Sequence, residues 1–267
     1  MHPRPFNPHS PGAGGSGLVQ YVFRSPARNP PIESSRRCSC AAPVSEKRSS
    51  FCYAGGVALN GIANRRIITE GNFARWFVQP AAEDSGTALG AAFYGLWKIC
   101  PGVKIPQMSH DSFGRHYQTD VIVDSFAATG TVAVQEVDDP ACLAAGLLNE
   151  GEIIGWFQGG SEFGPRALGH RSILADPRRI SSKVKLNRDI KRRECFRPFA
   201  PAVLEEEVQN WFYCIEFGDE SPFMLFVHPF REEVRVRVPA VCHVDGTGRL
   251  QSVSRTNREK WPIRAKE

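Results

Sequence analysis

The order of apolar and polar residues changes from irregular to regular at Phe51. Residues 51–54 and 75–78 have the short apolar pattern of buried strands, and residues 58–70 between them have the periodicity of a helix. A second helix, which is rich in apolar residues, is predicted over about 84–100. A strand, a helix, a strand and a helix in this order predict an α/β layer.

The second half of the chain continues this mixture of short strands and helices. We expect residues 101–130 to be an irregular connector and residues 131–137, where apolar and polar positions alternate, to form a strand. Asp139-Pro140 supplies an N-cap and a first-turn proline for a helix that ends near Gly151. The remaining predicted elements are a buried strand at 153–157, a basic helix at about 183–193, a strand at 199–204, a helix at 205–212, and strands at 223–229 and around Val241.

The first fifty residues differ in composition from the rest. They are rich in Pro, Gly, Ser and Arg and bury too little apolar area to offset their ordering entropy, so a disordered or spurious leader is expected at 1–50. Lys and Arg outnumber acidic residues there by five, which accounts for the whole formal net charge of +5. Because the remaining chain is neutral, a solvated leader is favoured over an RNA-binding arm, and no nucleic-acid partner is expected.

Cysteine spacing and apolar run length favour a cytoplasmic location without a membrane partner. The eight cysteines contain no CxxC pair, so reduced thiols that fill the core are expected instead of a zinc ribbon or a redox motif. The longest apolar runs, at 153–157 and 223–227, are far shorter than the roughly 20 residues that a bilayer span needs.

Two short motifs in the first half are compatible with ligand binding. Gly55 and Gly56 lie between a predicted strand and a predicted helix, where a ligand can approach the backbone, and Asn60 adds a polar side chain. Asp84 is a carboxylate at the start of a helix and suits a metal ion. From these residues alone, a plain glycine turn and a helix N-cap are the better interpretations.

The strongest motif is GGSEFGPRALGHRS at 159–172, followed by KRRECFRP at 191–198. Arginines flanked by Gly and Pro are held on loops, and their planar guanidinium groups suit phosphate or carboxylate ligands. Lys191 and Arg193 add positive charge to the same site. The alternative is a structural ion pair between Arg166 and Glu162.

Taken in order, these motifs resemble the carbamoyltransferase family that includes the nodulation and antibiotic O-carbamoyltransferases. The resemblance covers about residues 51–256. The residues that carry it are CYAGGVALN at 52–60, VQPAAEDSGTALGAA at 78–92, SEFGPRALGHRSILADPR at 161–178, KRRECFRPFAPAVL at 191–204, SPFMLF at 221–226 and HVDGTGRLQSVSR at 243–255.

The resemblance implies an α/β protein with a partial actin-like (Kae1-like) lobe followed by a YrdC-like α/β domain. A remnant of the first lobe and a connector would occupy 51–130, and an incomplete second domain would occupy 131–267. The second domain would form carbamoyl-adenylate from carbamoyl phosphate and ATP with release of pyrophosphate. The first would transfer the carbamoyl group to a hydroxyl of a sugar, either a lipo-chitin oligosaccharide or an antibiotic sugar.

The resemblance also implies roles for individual residues. Asp84 would bind the divalent metal, iron or magnesium. The adenosine would lie beside Gly55, Gly56 and Asn60. The side chains implied at the phosphates of carbamoyl phosphate and ATP are Arg166, Arg171, Lys191, Arg193 and Arg197, with Ser172 and His243 as further nucleotide-site candidates.

The sequence departs from the family pattern in two respects. The family holds its metal with an additional His-x-x-x-His pair, and no two of the seven histidines here are four apart. Gly160 stands where the family has an arginine. We expect an incomplete O-carbamoyltransferase that is inactive alone. The alternatives are a non-catalytic ATP- or carbamoyl-phosphate-binding remnant, a homodimer, or a subunit that needs a separate first lobe.

Overall fold

A computed structural model describes residues 51–254 except 72, 74, 105–107, 131–132 and 214–220. The predicted leader at 1–50 lies outside the described residues. Helices and short strands are mixed along the chain, which confirms the α/β class. No helix among the described residues is long and apolar enough to cross a membrane.

The first part of the fold is a strand–helix–strand unit, as predicted. Strands β1 (Phe51–Tyr53) and β2 (Trp76–Val78) pair in parallel. They are connected by a 3₁₀ turn (Gly56–Leu59) and helix α1 (Gly61–Glu70). The predicted helix at 58–70 is divided at Asn60, because the side-chain oxygen of Asn60 accepts hydrogen bonds from the first turn of α1.

The next two helices leave apolar residues exposed. Helix α2 (Ser85–Ile99) was predicted, and none of its residues is buried. Helix α3 (Thr119–Thr129) lies in the stretch that we expected to be an irregular connector, and it too has no buried residue. The predicted strand at 131–137 is wrong for its described part, 133–137, which is irregular and exposed. Apolar and polar residues alternate in this segment, but among the described residues no strand pairs with it.

The following elements frame the predicted arginine motif. Helix α4 (Pro140–Glu150) begins as predicted, with Asp139 accepting a hydrogen bond from the backbone of Cys142. Strand β3 (Ile154–Phe157) pairs antiparallel with β4 (Arg171–Leu174), so the two strands enclose the loop 158–170. The predicted basic helix at 183–193 is displaced: helix α5 (Ile180–Lys185) continues into a π-helix (Leu186–Ile190).

The last described part contains two more strand pairs. Strand β5 (Ala202–Leu204) pairs in parallel with β8 (Gln251–Val253), and β6 (His228–Pro229) pairs antiparallel with β7 (Thr247–Gly248). Between them lie a 3₁₀ turn (Glu205–Glu207), α6 (Val208–Trp211) and α7 (Glu232–Arg235). Side chains of this part form one hydrophobic core, which includes Val208, Phe212, Phe230, Val234 and Leu250.

A segment from this last part completes the core of the first. Leu225 and Phe226 pack with Ala58, Ile68 and Val78 in a second hydrophobic cluster. The predicted strand at 223–229 is therefore mostly wrong, since only its last two residues pair in a sheet. Its apolar residues are buried against α1 instead of between strands.

The strand predicted around Val241 is also wrong. Val241 is buried in the hydrophobic core, but it lies in a turn after α7. Its apolar neighbours fill the core and do not pair with a neighbouring strand.

Candidate functional site: a cluster of cationic side chains

Three arginines from distant parts of the sequence bring their positive charges together. Burial, together with the charges of Arg166 and Arg193, lowers the pKa of Arg249 to about 9. Burial also lowers the pKa of Arg166, which is 6% exposed. Arg166 and Arg193 were predicted as site residues, and the fold places both of them near Arg249.

Two more predicted cations extend this group. Burial and the charge of Arg193 lower the pKa of Lys191. Burial and the charge of Arg197 lower the pKa of Arg193, and Glu194 partly offsets this effect. Arg197 forms an ion pair with Glu194, with 2.9 Å between Nε and Oε2. We call Arg166, Lys191, Arg193, Arg197 and Arg249 the cation cluster.

Several nitrogen atoms at the cation cluster lack a hydrogen-bond partner among the described residues. Nε of Arg166 and Nε of Arg249 are both buried and unsatisfied. Nε2 of His243 is likewise buried and without a hydrogen-bond partner. Burial and the charge of Arg249 lower the pKa of this histidine. Buried donors without partners are costly, and an anionic ligand is the kind of group that would satisfy them.

The loop 158–170 positions Arg166 through contacts with the first part of the fold. Nη2 of Arg166 donates a hydrogen bond to the backbone oxygen of Leu59 at 2.9 Å. Glu162 does not act as the predicted structural partner of Arg166. Its carboxylate instead accepts hydrogen bonds from the backbone of Leu168, His170 and Arg171, at 2.7–3.3 Å. The loop is thus closed around Glu162. The acidic side chain whose charge acts on Arg166 is instead Glu83, which partly offsets the lowering of the Arg166 pKa by burial.

The contacts of Gly160 explain why a side chain is absent there. A Cβ atom on Gly160 would lie 2.6 Å from the backbone oxygen of Gly114 and 2.7 Å from that of Ser112. The segment 112–116 therefore occupies the space into which an arginine at this position would extend. In this chain, any side chain at position 160 is therefore incompatible with the observed packing.

Arg171 and Ser172, both predicted at the phosphates, contact the loop itself. Arg171 donates hydrogen bonds to the backbone oxygens of Gln158, Gly159 and His170, and its guanidinium group lies 3.5 Å from the ring centre of Phe157. The hydroxyl of Ser172 accepts a hydrogen bond from the backbone of Gly169. These contacts stabilise the loop, and a direct contact with phosphate stays a prediction for both residues.

The predicted adenosine site has an open glycine turn. Gly55 has φ +97°, which favours glycine, and a Cβ on Gly55 or Gly56 would meet no atom within 4 Å. A ligand therefore has free access to this backbone. The side-chain oxygen of Asn60 caps α1, so ligand binding by Asn60 stays a prediction that concerns its amide nitrogen.

Asp84, the predicted metal ligand, is exposed at the start of α2. Its side chain makes no capping hydrogen bond, contrary to the structural alternative. Within the described parts of 51–254, no group of three or more His, Cys, Asp or Glu side chains is arranged to hold a metal ion. The described residues therefore do not form a metal site by themselves, and a metal-binding role for Asp84 stays a prediction.

Two residues near the arginine motif were not among the predicted site residues. Arg249 lies within the matched motif at 243–255, and its position between Gly248 and Leu250 was the available signal. Asp111 lies in the supposed connector and carried no signal. Burial raises its pKa to about 6, with a smaller contribution from Glu162, although its carboxylate accepts a hydrogen bond from the backbone of Gly164.

Two models of one family match the chain. The model for the carbamoyltransferase N-terminus matches residues 39–93, and the model for the carbamoyltransferase C-terminus matches residues 145–263. The first match begins ahead of Phe51, where the resemblance was expected to start. The second contains the whole cation cluster.

Curated relatives agree with the family models. Nodulation protein NolNO of Sinorhizobium fredii is 45% identical over 213 residues, which are 79% of this chain and 31% of the relative. NolO of Bradyrhizobium diazoefficiens is 43% identical over 218 residues, 80% of this chain and 39% of the relative. Nodulation protein U of Azorhizobium caulinodans is 35% identical over 218 residues, with shares of 78% and 35%.

The chain thus spans about a third of the length of these curated relatives. The matches to the two family models lie on either side of the segment that carries α3. On this evidence, the chain belongs to the carbamoyltransferase family.

Proposed function

We propose that the cation cluster binds the phosphate groups of carbamoyl phosphate and ATP in an O-carbamoyltransferase. The observation that carries this proposal is the meeting of Arg166, Arg193 and Arg249 with two buried Nε atoms unsatisfied. Like charges at one site repel each other, so the arrangement is costly without an anion. Membership in the carbamoyltransferase family identifies which anions to expect.

The proposed chemistry joins two multiply charged substrates. Carbamoyl phosphate, ATP and water give carbamoyl-adenylate, pyrophosphate and inorganic phosphate, and an acceptor hydroxyl then displaces AMP from the carbamoyl carbon. Repulsion between the two phosphate-bearing substrates opposes their approach. Fixed guanidinium groups offset this repulsion and stabilise charge on the phosphoryl oxygens as the bonds change.

The contacts of the cluster suggest that its members contribute to anion binding in different ways. Arg166 and Arg249 each present an unsatisfied buried Nε, so both are suited to donate directly to phosphate oxygens. Arg197 is partly neutralised by its ion pair with Glu194, so it is suited to a weaker, longer-range contribution. His243 donates or accepts at its unsatisfied Nε2, according to its tautomer.

The same proposal includes the identity of the acceptor and the role of a metal. The relatives are named as nodulation proteins, so a lipo-chitin oligosaccharide is the first acceptor to assay and an antibiotic sugar the second. A divalent metal, iron or magnesium, would polarise the carbamoyl carbonyl for transfer. Asp84 is the proposed ligand, and no step above depends on the metal.

Calorimetric titration with carbamoyl phosphate tests the site directly. Arg166→Ala removes a buried guanidinium group, and we expect affinity to fall on the order of tenfold or more, the usual effect of losing a charge-assisted hydrogen bond. Arg188→Ala is a matched control, because Arg188 is exposed and pairs with the adjacent Asp189. Equal affinity of the Arg166 variant and the unsubstituted protein would remove Arg166 from the site.

A second proposal, supported by the exposed helix α2, is that this chain acts as a subunit. Tyr94, Trp97 and Ile99 are 61%, 53% and 81% exposed, and the ring centres of Tyr94 and Trp97 lie 6.1 Å apart. Exposed apolar surface of this kind favours association. The partner would be a separately supplied first lobe or a second copy of this chain. Light scattering of the chain alone and after addition of the N-terminal part of NolO tests the two cases.

A further inference from the structure

A buried asparagine in the π-helix makes hydrogen bonds to the loop that carries three members of the cation cluster. Asn187 is fully buried, at 0% exposure. Its side-chain oxygen accepts a hydrogen bond from Nε of Arg193 at 2.6 Å. Its side-chain nitrogen donates to the backbone oxygens of Arg197 at 3.0 Å and of Cys195 at 3.3 Å. One amide group therefore contacts the loop 191–197 at three points.

The backbone around Asn187 is shaped to bring the loop over it. The segment Leu186–Ile190 is a π-helix, and the backbone nitrogen of Lys191 donates to the oxygen of Leu186 at 2.8 Å. Arg192 then adopts φ +47°, which is uncommon for residues other than glycine. The backbone nitrogen of Arg193 returns to donate to the oxygen of Asn187 at 2.9 Å. Single-turn π-helices of this kind are frequent at functional sites.

The contacts of Asn187 also determine how Arg193 meets the cluster. With its Nε–H donated to Asn187, the guanidinium group of Arg193 lies over the ring of Phe199, 4.8 Å from the ring centre. These two contacts hold the guanidinium plane from its Nε edge and from one face. Held in this way, Arg193 lies close enough for its charge to lower the pKa of both Arg249 and Lys191.

We propose that Asn187 is a positioning residue for anion binding. Its amide holds the loop 191–197 in the conformation that places Lys191, Arg193 and Arg197 at the anion. This inference rests on the proposed function only in taking the ligand to be a phosphate-bearing anion. Asn187 itself makes no contact with the ligand, because its three polar contacts are with the loop.

Two substitutions separate positioning from simple loss of stability. Asn187→Ala removes all three side-chain hydrogen bonds and frees the loop. Asn187→Asp retains the size of the side chain and the acceptor for Arg193, removes the donor to Cys195 and Arg197, and adds a negative charge beside the cations. The aspartate variant keeps the test available if the alanine variant does not fold.

Asn64 provides a matched control in the same chain. It is 1% exposed, and its side-chain nitrogen donates to the backbone oxygens of Ala58 at 2.6 Å and of Leu225 at 2.9 Å. Asn64→Ala and Asn64→Asp therefore remove a comparable pair of buried hydrogen bonds, beside the hydrophobic cluster that contains Ala58 and Leu225. Their melting temperatures should fall by similar amounts, without a change in the loop 191–197.

The test is calorimetric titration of the folded full chain and its variants with inorganic pyrophosphate. We expect Asn187→Ala to weaken binding on the order of tenfold, as for groups that orient the ligands of bound ions, and Asn187→Asp to weaken it further. In the background Arg193→Ala, Asn187→Ala should weaken binding less than it does in the unsubstituted protein, because only the part of its effect that acts through Lys191 and Arg197 remains. The Asn64 variants should retain affinity.

The outcomes are distinguishable. Unchanged affinity of both Asn187 variants, or equal losses in the Asn187 and Asn64 variants, would overturn the positioning role while leaving the anion site intact. Failure of the unsubstituted protein to bind pyrophosphate would overturn the anion site together with the role of Asn187.

Discussion

Removing one cluster charge should stabilise the protein while weakening its binding of anions. Arg249 is half-buried, and burial together with the charges of Arg166 and Arg193 lowers its pKa to about 9. Arginine nevertheless remains protonated near neutral pH. The cost of holding this charge in the fold is therefore a cost to the free energy of folding. Substitution of Arg249 by methionine removes the charge and keeps an unbranched side chain that reaches about as far as Nε of the arginine.

The size of the effect follows from the pKa. Each pKa unit corresponds to 1.36 kcal/mol, so a pKa of about 9 for an arginine sets an upper bound of roughly 5 kcal/mol on the cost. Water and salt screen the charges of a half-buried group, which reduces the cost. The part of the Arg249 guanidinium group that contacts water in the folded protein is favourably hydrated, and Arg249→Met loses this hydration. We therefore expect a gain in the free energy of unfolding of about 1–2 kcal/mol.

Urea unfolding at low ionic strength, with and without inorganic pyrophosphate, measures both parts of this prediction. Arg249→Met should be more stable than the unsubstituted protein without pyrophosphate and should gain less stability when pyrophosphate is added. Added salt should reduce the difference, since it screens the repulsion. Arg188→Met, which changes an exposed arginine paired with Asp189, is the control and should alter neither quantity appreciably.

Loss of stability in Arg249→Met, combined with an unchanged response to pyrophosphate, would refute the reasoning. It would mean that Arg249 contributes favourable contacts and that the cluster is not a site of uncompensated repulsion.

Four further predictions concern other parts of the molecule. Arg166→Ala should leave the far-ultraviolet circular dichroism unchanged while it weakens calorimetric binding of ATP on the order of tenfold; a changed spectrum would make Arg166 a structural residue. The raised pKa of Asp111 stabilises the fold below the ordinary pKa of a carboxyl group, and this stabilisation is lost as the pH rises through about 6, so stability measured by urea unfolding should decrease between pH 5 and pH 7. Asp111→Asn should abolish that component, and an identical pH profile in the variant would contradict it. Trp97→Glu should reduce association measured by light scattering, because Trp97 is 53% exposed on α2; undiminished association would place the interface elsewhere. The chain alone should not carbamoylate a chitin oligosaccharide supplied with ATP and carbamoyl phosphate, and mass-spectrometric detection of carbamoylated product would overturn that expectation.

Local patterns were sufficient for elements whose signals are contained within a few residues. The helix that begins after Asp139 was predicted correctly because a capping side chain and a first-turn proline determine its start. Strands β1 and β2 were likewise recognisable from short apolar runs bounded by turn residues. Gly160 was noted as a departure from the family, but its reason, the close approach of residues 112–116, required the fold.

Elements that depend on distant contacts were predicted poorly. The apolar run at 223–227 suggested a strand, yet Leu225 and Phe226 are buried against the cluster around α1. Burial alone does not reveal whether an apolar run pairs with a strand or packs on a helix. Asn187 and Asp111 carried no signal for the same reason, since each acquires its role from residues that the fold brings to it.

The candidate site shows both kinds of outcome. Arg166, Lys191 and Arg193 were identified from their motifs, and the fold brings the charges of Arg166 and Arg193 near Arg249 and that of Lys191 near Arg193. Arg171 comes from the same motif, but its guanidinium group binds three backbone oxygens of its own loop. A motif therefore indicates which arginines are held rigidly, whereas only the geometry shows which of them are available to a ligand.

The central claim is that the cation cluster is a phosphate site, and a crystal grown with carbamoyl phosphate tests it most directly. We predict electron density for a phosphate group in contact with Nε of Arg166 and Nε of Arg249, and loss of that density in crystals of Arg249→Met. Carbamoyl phosphate bound at another place, with these two atoms still lacking a partner, would contradict the account.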